Sequence, residues 1–274
     1  MGYPFGGMLT PNSKVSRSAR VEANGTSLAS FLSMLALDSP PLPVRILFED
    51  EGASCWTMNT GKTLMVFIDR YPIEGLKVKQ PCVIVCNPKE LSDLVRSKSR
   101  GDTVRLTTEA NEPIVISTKS NGGAEIMPAD EEDCMTIPDR NVLPTKDGQL
   151  VFPMFDNEVA TSEATIDKIA LTNASMEMKV ANAPYVVMTF DKKSEVRAGH
   201  WGAKTTRSWT PIEATFTGEP FTVAFTDTLQ TILSTLTASN GLKVAKHTKG
   251  QFVAIRTITE PKITIIATEA VKEI

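Results

Sequence analysis

The chain has no positive charge to spare: its 29 lysines and arginines stand against 32 acidic residues, a formal net charge of -3. Proteins that grip nucleic acid through its phosphates usually carry a basic excess, so net charge is not what would drive such binding here. Aromatic residues are scarce at 6%, which leaves the cores to aliphatic side chains. There are two histidines, His200 and His247, and neither sits in a Ser-His-Asp or Cys-His pattern. The four cysteines, Cys55, Cys82, Cys86 and Cys134, lack the tight pairs of a metal site. Cys82 and Cys86 lie in PCVIVC, whose alternation puts both on one strand face as core thiols. With no acid–base, nucleophile or metal set, the sequence offers no case for catalysis and implies no cofactor. No apolar run approaches the roughly 20 residues that cross a bilayer. The first 20 residues lack the apolar stretch of a secretory signal, and Gly6 stands where a myristoylation motif wants Ser or Thr. The expectation is an intracellular protein with a loose, mildly basic arm over residues 1–25.

What the chain does have is length for about two domains, with 274 residues and 41% hydrophobic composition, and an internal duplication. Residues 79–118 align with residues 218–257. Pro81 meets Pro220 and Ile84 meets Val223 at an offset of 139. After one deletion the offset is 138, and Leu91 meets Leu229, Leu94 meets Ile232, Val104 meets Leu242 and Ile114 meets Phe252. Each copy reads as a strand (82–86, 221–225), an N-cap, an amphipathic helix and two strands joined by a polar turn. In the first copy Asn87 caps the helix and Pro88 takes its first position; in the second, Thr226 or Asp227 takes the cap. The helices carry Leu91, Leu94 and Val95 on one stripe, and Leu229, Ile232, Leu233 and Leu236 on the other.

Upstream of each copy, the pattern predicts a further helix and strands. Thr26 or Ser27 caps a helix over 27–37, followed by strands near 44–49, 53–58 and 63–69. In the second half a helix near 162–171 turns Ile166, Ile169 and Ala170 inward, and strands follow near 176–180, 185–190 and 195–200. Each half is therefore α+β, an antiparallel sheet with helices on one face. Residues 127–150 hold an acidic cluster, Asp130 to Asp133, and little periodicity, and read as an interdomain connector. The expected domains are 26–126 and 151–274.

Three segments carry a resemblance to a known family: DEGASCWTMNTGKTLMVFI from Asp50, CNPKELSDLVRSKSRGDTVRLTTE from Cys86, and MTIPD from Met135. In their order and spacing they resemble the DNA sliding clamps of the proliferating cell nuclear antigen family, over nearly the whole chain after residue 26. The resemblance implies a ring of six such domains, helices lining a central hole and sheets outside. Two domains per chain then imply a homotrimer that acts as a polymerase processivity factor, usually placed on double-stranded DNA by a clamp loader. Enclosure would make strong phosphate binding unnecessary, which suits the net charge.

DNA contact is then expected at Lys89, Arg96, Lys98, Arg100 and Lys168, on the polar faces of the helices. Partner proteins, including a DNA polymerase, are expected in an apolar pocket beneath the connector. By resemblance, Met58, Lys62, Thr63 and Met65 give its hairpin side, Met135, Ile137 and Pro138 its connector side, and Ile266 and Ala267 a third wall. Methionine at several of these positions suits an adaptable surface. Subunit contacts are expected to pair a strand over 105–117 with one over 176–180. The alternatives are a monomeric or dimeric processivity factor that binds DNA on one basic face, and a clamp-fold scaffold without a polymerase role.

Overall fold

The computed structural model describes residues 18–109, 112–130, 134, 145–152, 155, 158–199, 206–236 and 241–269. These fall in two units, divided between Asp139 and Arg140.

The first unit opens with β1 (Ala19–Asn24), inside the stretch expected to be an arm. Ala19, Val21 and Ala23 alternate into the core, a period too short in small residues to stand out in the sequence. Helix α1 (Gly25–Leu35) follows; its cap is Asn24, whose Oδ1 accepts the Ser27 N–H at 3.0 Å, and not Thr26 or Ser27. Strands β2 (Val44–Glu49), β3 (Gly52–Met58), β4 (Leu64–Tyr71), β5 (Lys77–Val78) and β6 (Cys82–Cys86) lead to α2 (Pro88–Ser99). Asn87 caps α2 by accepting the N–H groups of Lys89 and Glu90, each at 3.1 Å. Strands β7 (Thr103–Thr108), β8 (Ile114–Thr118) and β9 (Gly123–Ile126) complete the unit. They pair antiparallel in the orders β5-β1-β7-β8-β9 and β4-β3-β2-β6.

The two helices lie side by side against the sheets. Leu28, Phe31, Leu32 and Leu35 of α1 are at most 1% exposed, each worth about 1.5–3 kcal/mol in burial. Gly25, Ala29 and Ser33 form a small-residue stripe that lets α2 come close. The Ser92 hydroxyl donates to the Ala29 carbonyl at 3.0 Å and lies 2.9 Å from the Ser33 hydroxyl. A Cβ at Gly25 would sit 2.1 Å from Ser99 Cβ. Cys82 and Cys86 are both fully buried, opposite Phe48 and Val44. Burial pushes the Cys82 thiol up to about 11 and the Cys55 and Cys86 thiols well above the ordinary range.

In the second unit β10 (Thr145–Lys146), β11 (Gln149–Phe152) and β12 (Glu158–Val159) form a small antiparallel meander. Then come β13 (Ser162–Asp167), α3 (Lys168–Val180), β14 (Tyr185–Phe190), β15 (Glu195–Gly199), β16 (Thr206–Pro211), β17 (Ala214–Thr217), β18 (Phe221–Phe225), α4 (Thr228–Thr235), β19 (Gly241–Lys246), β20 (Phe252–Thr257) and β21 (Lys262–Thr268). The order of pairing repeats the first unit strand for strand: β17-β13-β19-β20-β21 and β16-β15-β14-β18. The duplication read from residues 79–118 and 218–257 is therefore a repeat of whole folding units.

Two sequence expectations fail here. Residues 162–167 are a strand, not the start of a helix, and the expected strand over 176–180 is the last turn of α3. The run SEATIDKIAL fits both periods, because Ala164 and Ile166 alternate while Ile166, Ile169 and Ala170 keep helical spacing. The boundary is set by Asp167, whose carboxylate accepts the Ile169 N–H at 2.7 Å and starts the helix there. Ile169 is consequently 63% exposed rather than inward.

Candidate functional site

The basic residues expected at DNA divide by position. On α2, Lys89 and Arg96 lie seven residues apart on one exposed stripe with Asp93 beside them, while Arg100, also exposed, is the helix C-cap in the left-handed conformation (φ 43°). Arg96 reaches across to α1, where a guanidinium nitrogen donates to the Ser33 hydroxyl at 2.7 Å. Lys98 lies on the opposite flank of the helix and is half-buried; its carbonyl accepts the Asn121 side-chain amide at 3.0 Å. The structure thus puts Lys89 and Arg96 on one helix face, Arg100 at the helix end, and Lys98 apart from both.

Lys168 is the first residue of α3 rather than an interior one. Its ammonium donates to the carbonyl of Leu236, the C-cap of α4, at 2.6 Å. A cation at a helix C-terminus meets the negative end of the helix dipole, and burial lowers its pKa from the usual lysine range. The rest of α3 exposes Ile169, Met176 and Val180 along one stripe. Helices α1 and α4 carry no charged side chain at all. Their exposed faces are hydroxyls such as Ser30 and Ser234, which donate back to the carbonyls of Thr26 and Thr231.

The hairpin residues expected at a partner site lie together. Met58 and Met65 are directly opposite across β3 and β4. Lys62 and Thr63 form the turn, held by Asn59, whose side-chain oxygen accepts the Thr63 and Leu64 N–H groups at 2.8 and 2.9 Å. Strand alternation puts Met58 and Met65 on the face turned away from α1, and the same face carries Trp56 and Phe67, packed edge to face at 4.3 Å. Sequence reasoning passes over Trp56 and Phe67, although each stands two residues from one of the methionines, the spacing that defines a strand face. On β21, Ile266 and Ala267 are adjacent and point to opposite sheet faces, so only one of them can line any given surface. Met135, Ile137 and Pro138 lie outside the described residues.

The expected subunit-contact strands need correction as well. Residues 105–117 span β7 and β8, both paired on each side, and residues 176–180 are helical, so neither offers an open edge. Within their own sheets the terminal strands include β9 and β16. Strand β18 is also terminal, but side chains engage its edge: Lys246 donates to the Thr222 carbonyl at 2.8 Å, and Glu269 accepts the Ala224 N–H at 3.3 Å. Similarly, the Ala129 N–H donates to Val85 on terminal strand β6 at 3.3 Å.

No family model matches the sequence, and no curated protein matches it. Solved structures do match in fold. The proliferating cellular nuclear antigen of Entamoeba histolytica superposes with a TM-score of 0.65 at 9% identity, covering 94% of this chain and 100% of that one. A chain of the PCNA2-PCNA3 complex from Sulfolobus tokodaii gives 0.64 at 11% identity over 91% and 98%. The A. fulgidus PCNA structure with the C-terminal region of FEN-1 bound gives 0.65 at 15% identity over 93% and 100%. The chain has the fold of a sliding clamp. In particular it has the mixed α+β form of proliferating cell nuclear antigen, with antiparallel sheets and, among the described residues, four helices in two units.

Proposed function

We propose that this protein is a sliding clamp, a non-catalytic processivity factor that encloses duplex DNA and tethers a DNA polymerase to it. The observation that carries the reading is the clamp fold itself, matched over 91–94% of the chain and built from two units with one pairing order. Three copies would close a ring, with a clamp loader opening it and placing it on DNA inside the cell. Strand edges left open are a liability that closed assembly removes. Strands β9 and β16 are the edges we assign to it, one from each unit, joined head to tail.

The electrostatics fit enclosure better than adhesion. Among the described helices α2 brings a basic stripe, Lys89 and Arg96 with Arg100 at its end, and Asp93 dilutes it. A surface that bound phosphates strongly would also resist sliding. Partner proteins dock on the β3–β4 hairpin face turned away from α1, at half-buried Met58, with Met65, Trp56 and Phe67 buried beside it on the same face. Lys62 and Thr63 in the turn and Met135, Ile137 and Pro138 in the connector are assigned to the same task. Lys98 and Lys168 contribute little to DNA contact in this reading.

Retention by topology tests the proposal. Loaded onto a nicked circular duplex, the protein should stay bound through a high-salt wash and leave once the circle is cut. Release from both forms at the same salt concentration would overturn enclosure in favour of one-sided binding.

A further inference from the structure

Two of the most exposed large apolar side chains among the described residues are Trp209 at 65% and Met127 at 68%. Both stand at the strand edges assigned to copy-to-copy contact: Trp209 lies inside β16, and Met127 directly follows β9. An apolar side chain beside a terminal strand is a poor choice for a chain that stays alone, because it invites another strand to add.

Each edge is pinned by its own unit, and each turns these side chains away from the helices. On β16, Thr210 Oγ1 donates to the Glu177 carboxylate of α3 at 2.9 Å, and the Ser208 hydroxyl donates to the same group. Strand alternation therefore puts Trp209 on the face away from α3. Arg197 is its direct partner on β15. The flanking Val196 and Ala198 are fully buried, so Arg197 shares the outer face with Trp209. Its guanidinium pairs with Glu195 along the strand, which keeps it there. On β9, Ile126 is buried opposite Ile114, on the side where both strands pack against α2. Glu125 and Met127 take the other face, and both are exposed. The Asn121 carboxamide, in the turn before β9, donates to the Lys98 carbonyl of α2 at 3.0 Å and holds that edge.

The two edges are complementary, with an aromatic ring and a cation on one, a thioether and a carboxylate on the other. We infer that Trp209 and Arg197 of one copy close over Met127 and Glu125 of the next, sealing the seam between copies on the side away from the helices. The inference rests on the ring reading, in which the helices of neighbouring copies share one side of a continuous sheet. Backbone bonds between two added strands carry no sequence information, so the side chains decide that each edge meets its mate. Sulfur against an aromatic ring is a favourable contact, and buried Trp anchors dominate many interfaces. Because both strands are pinned before they meet, little further ordering is needed on association.

The test follows the full chain and its variants by light scattering over a dilution series. Trp209→Ala should raise the concentration at which the assembly dissociates at least about tenfold, and Met127→Ala should act in the same direction. The circular dichroism spectrum should stay that of the wild type, since both side chains are exposed within the chain itself. Arg197→Glu or Glu125→Arg alone should loosen the assembly, and both together in one chain should restore it through the reversed pair. A wild type that assembles, with dissociation unmoved by Trp209→Ala, overturns the inference and leaves the ring reading standing. A double reversal no better than its two single changes combined also overturns it. A wild type that stays monomeric at every concentration overturns both.

Discussion

Arg96, proposed as a phosphate contact, extends over α1 through its bond to Ser33. Lys89 shares its stripe, Arg100 caps the same helix, and Lys98 lies on the other flank. Replacing Lys89, Arg96 and Arg100 with Gln should weaken duplex binding and lower the salt dependence of log K by about three per chain, one for each phosphate no longer neutralised. Lys98→Gln should change it far less. Anisotropy titrations across a range of salt read both, and an equal effect from Lys98→Gln alone would refute the assignment. On the hairpin face turned away from α1, Met58 is half-buried at the strand end. Met58→Glu should reduce affinity for a polymerase C-terminal peptide by at least about tenfold while the assembly stays intact, since a buried unpaired carboxylate is costly in an apolar contact. Unchanged affinity in titration calorimetry would place partner docking elsewhere.

At the scale of elements, helix packing in the first unit rests on an absent side chain. Gly25→Ala would push a methyl into Ser99 and force α1 and α2 apart, costing about 1–3 kcal/mol. The urea midpoint of unfolding should fall accordingly, and an unchanged midpoint would show that the helices have slack. Helix α2 is legible in the sequence because its signals are local: Asn87, Pro88 and the Leu91–Val95 stripe lie within nine residues of one another. Strand β13 is not, because SEATIDKIAL satisfies both periodicities and only the Asp167 cap separates them. Strand β1 escapes sequence reading for another reason. Its inward residues are Ala, Val and Ala, and its place between β5 and β7 comes from tertiary pairing that no local pattern encodes.

At the scale of the whole molecule, the repeat is the most readable feature. The 138–139 residue offset already relates β6 to β18, β7 to β19 and β8 to β20. The edges are unreadable, since which strand ends a sheet depends on pairings far apart in the chain. That is why residues 105–117 look available in the sequence and prove interior in the fold. The grouping of basic residues is half legible: helical spacing joins Lys89 and Arg96, while the left-handed cap at Arg100 and the burial that sets Lys98 and Lys168 apart need the packed structure. The meander β10–β12 reads only as part of a linker and the start of a domain, because a four-residue strand between turns carries too little pattern to declare itself.

If copies of this chain close into a ring as proposed, its mass in solution must be that of the closed assembly. Light scattering at micromolar concentration should give three times 29.8 kDa, about 89 kDa, with no higher series of species, because a closed ring has no edges left to extend. A strict monomer of 29.8 kDa at that concentration would contradict it.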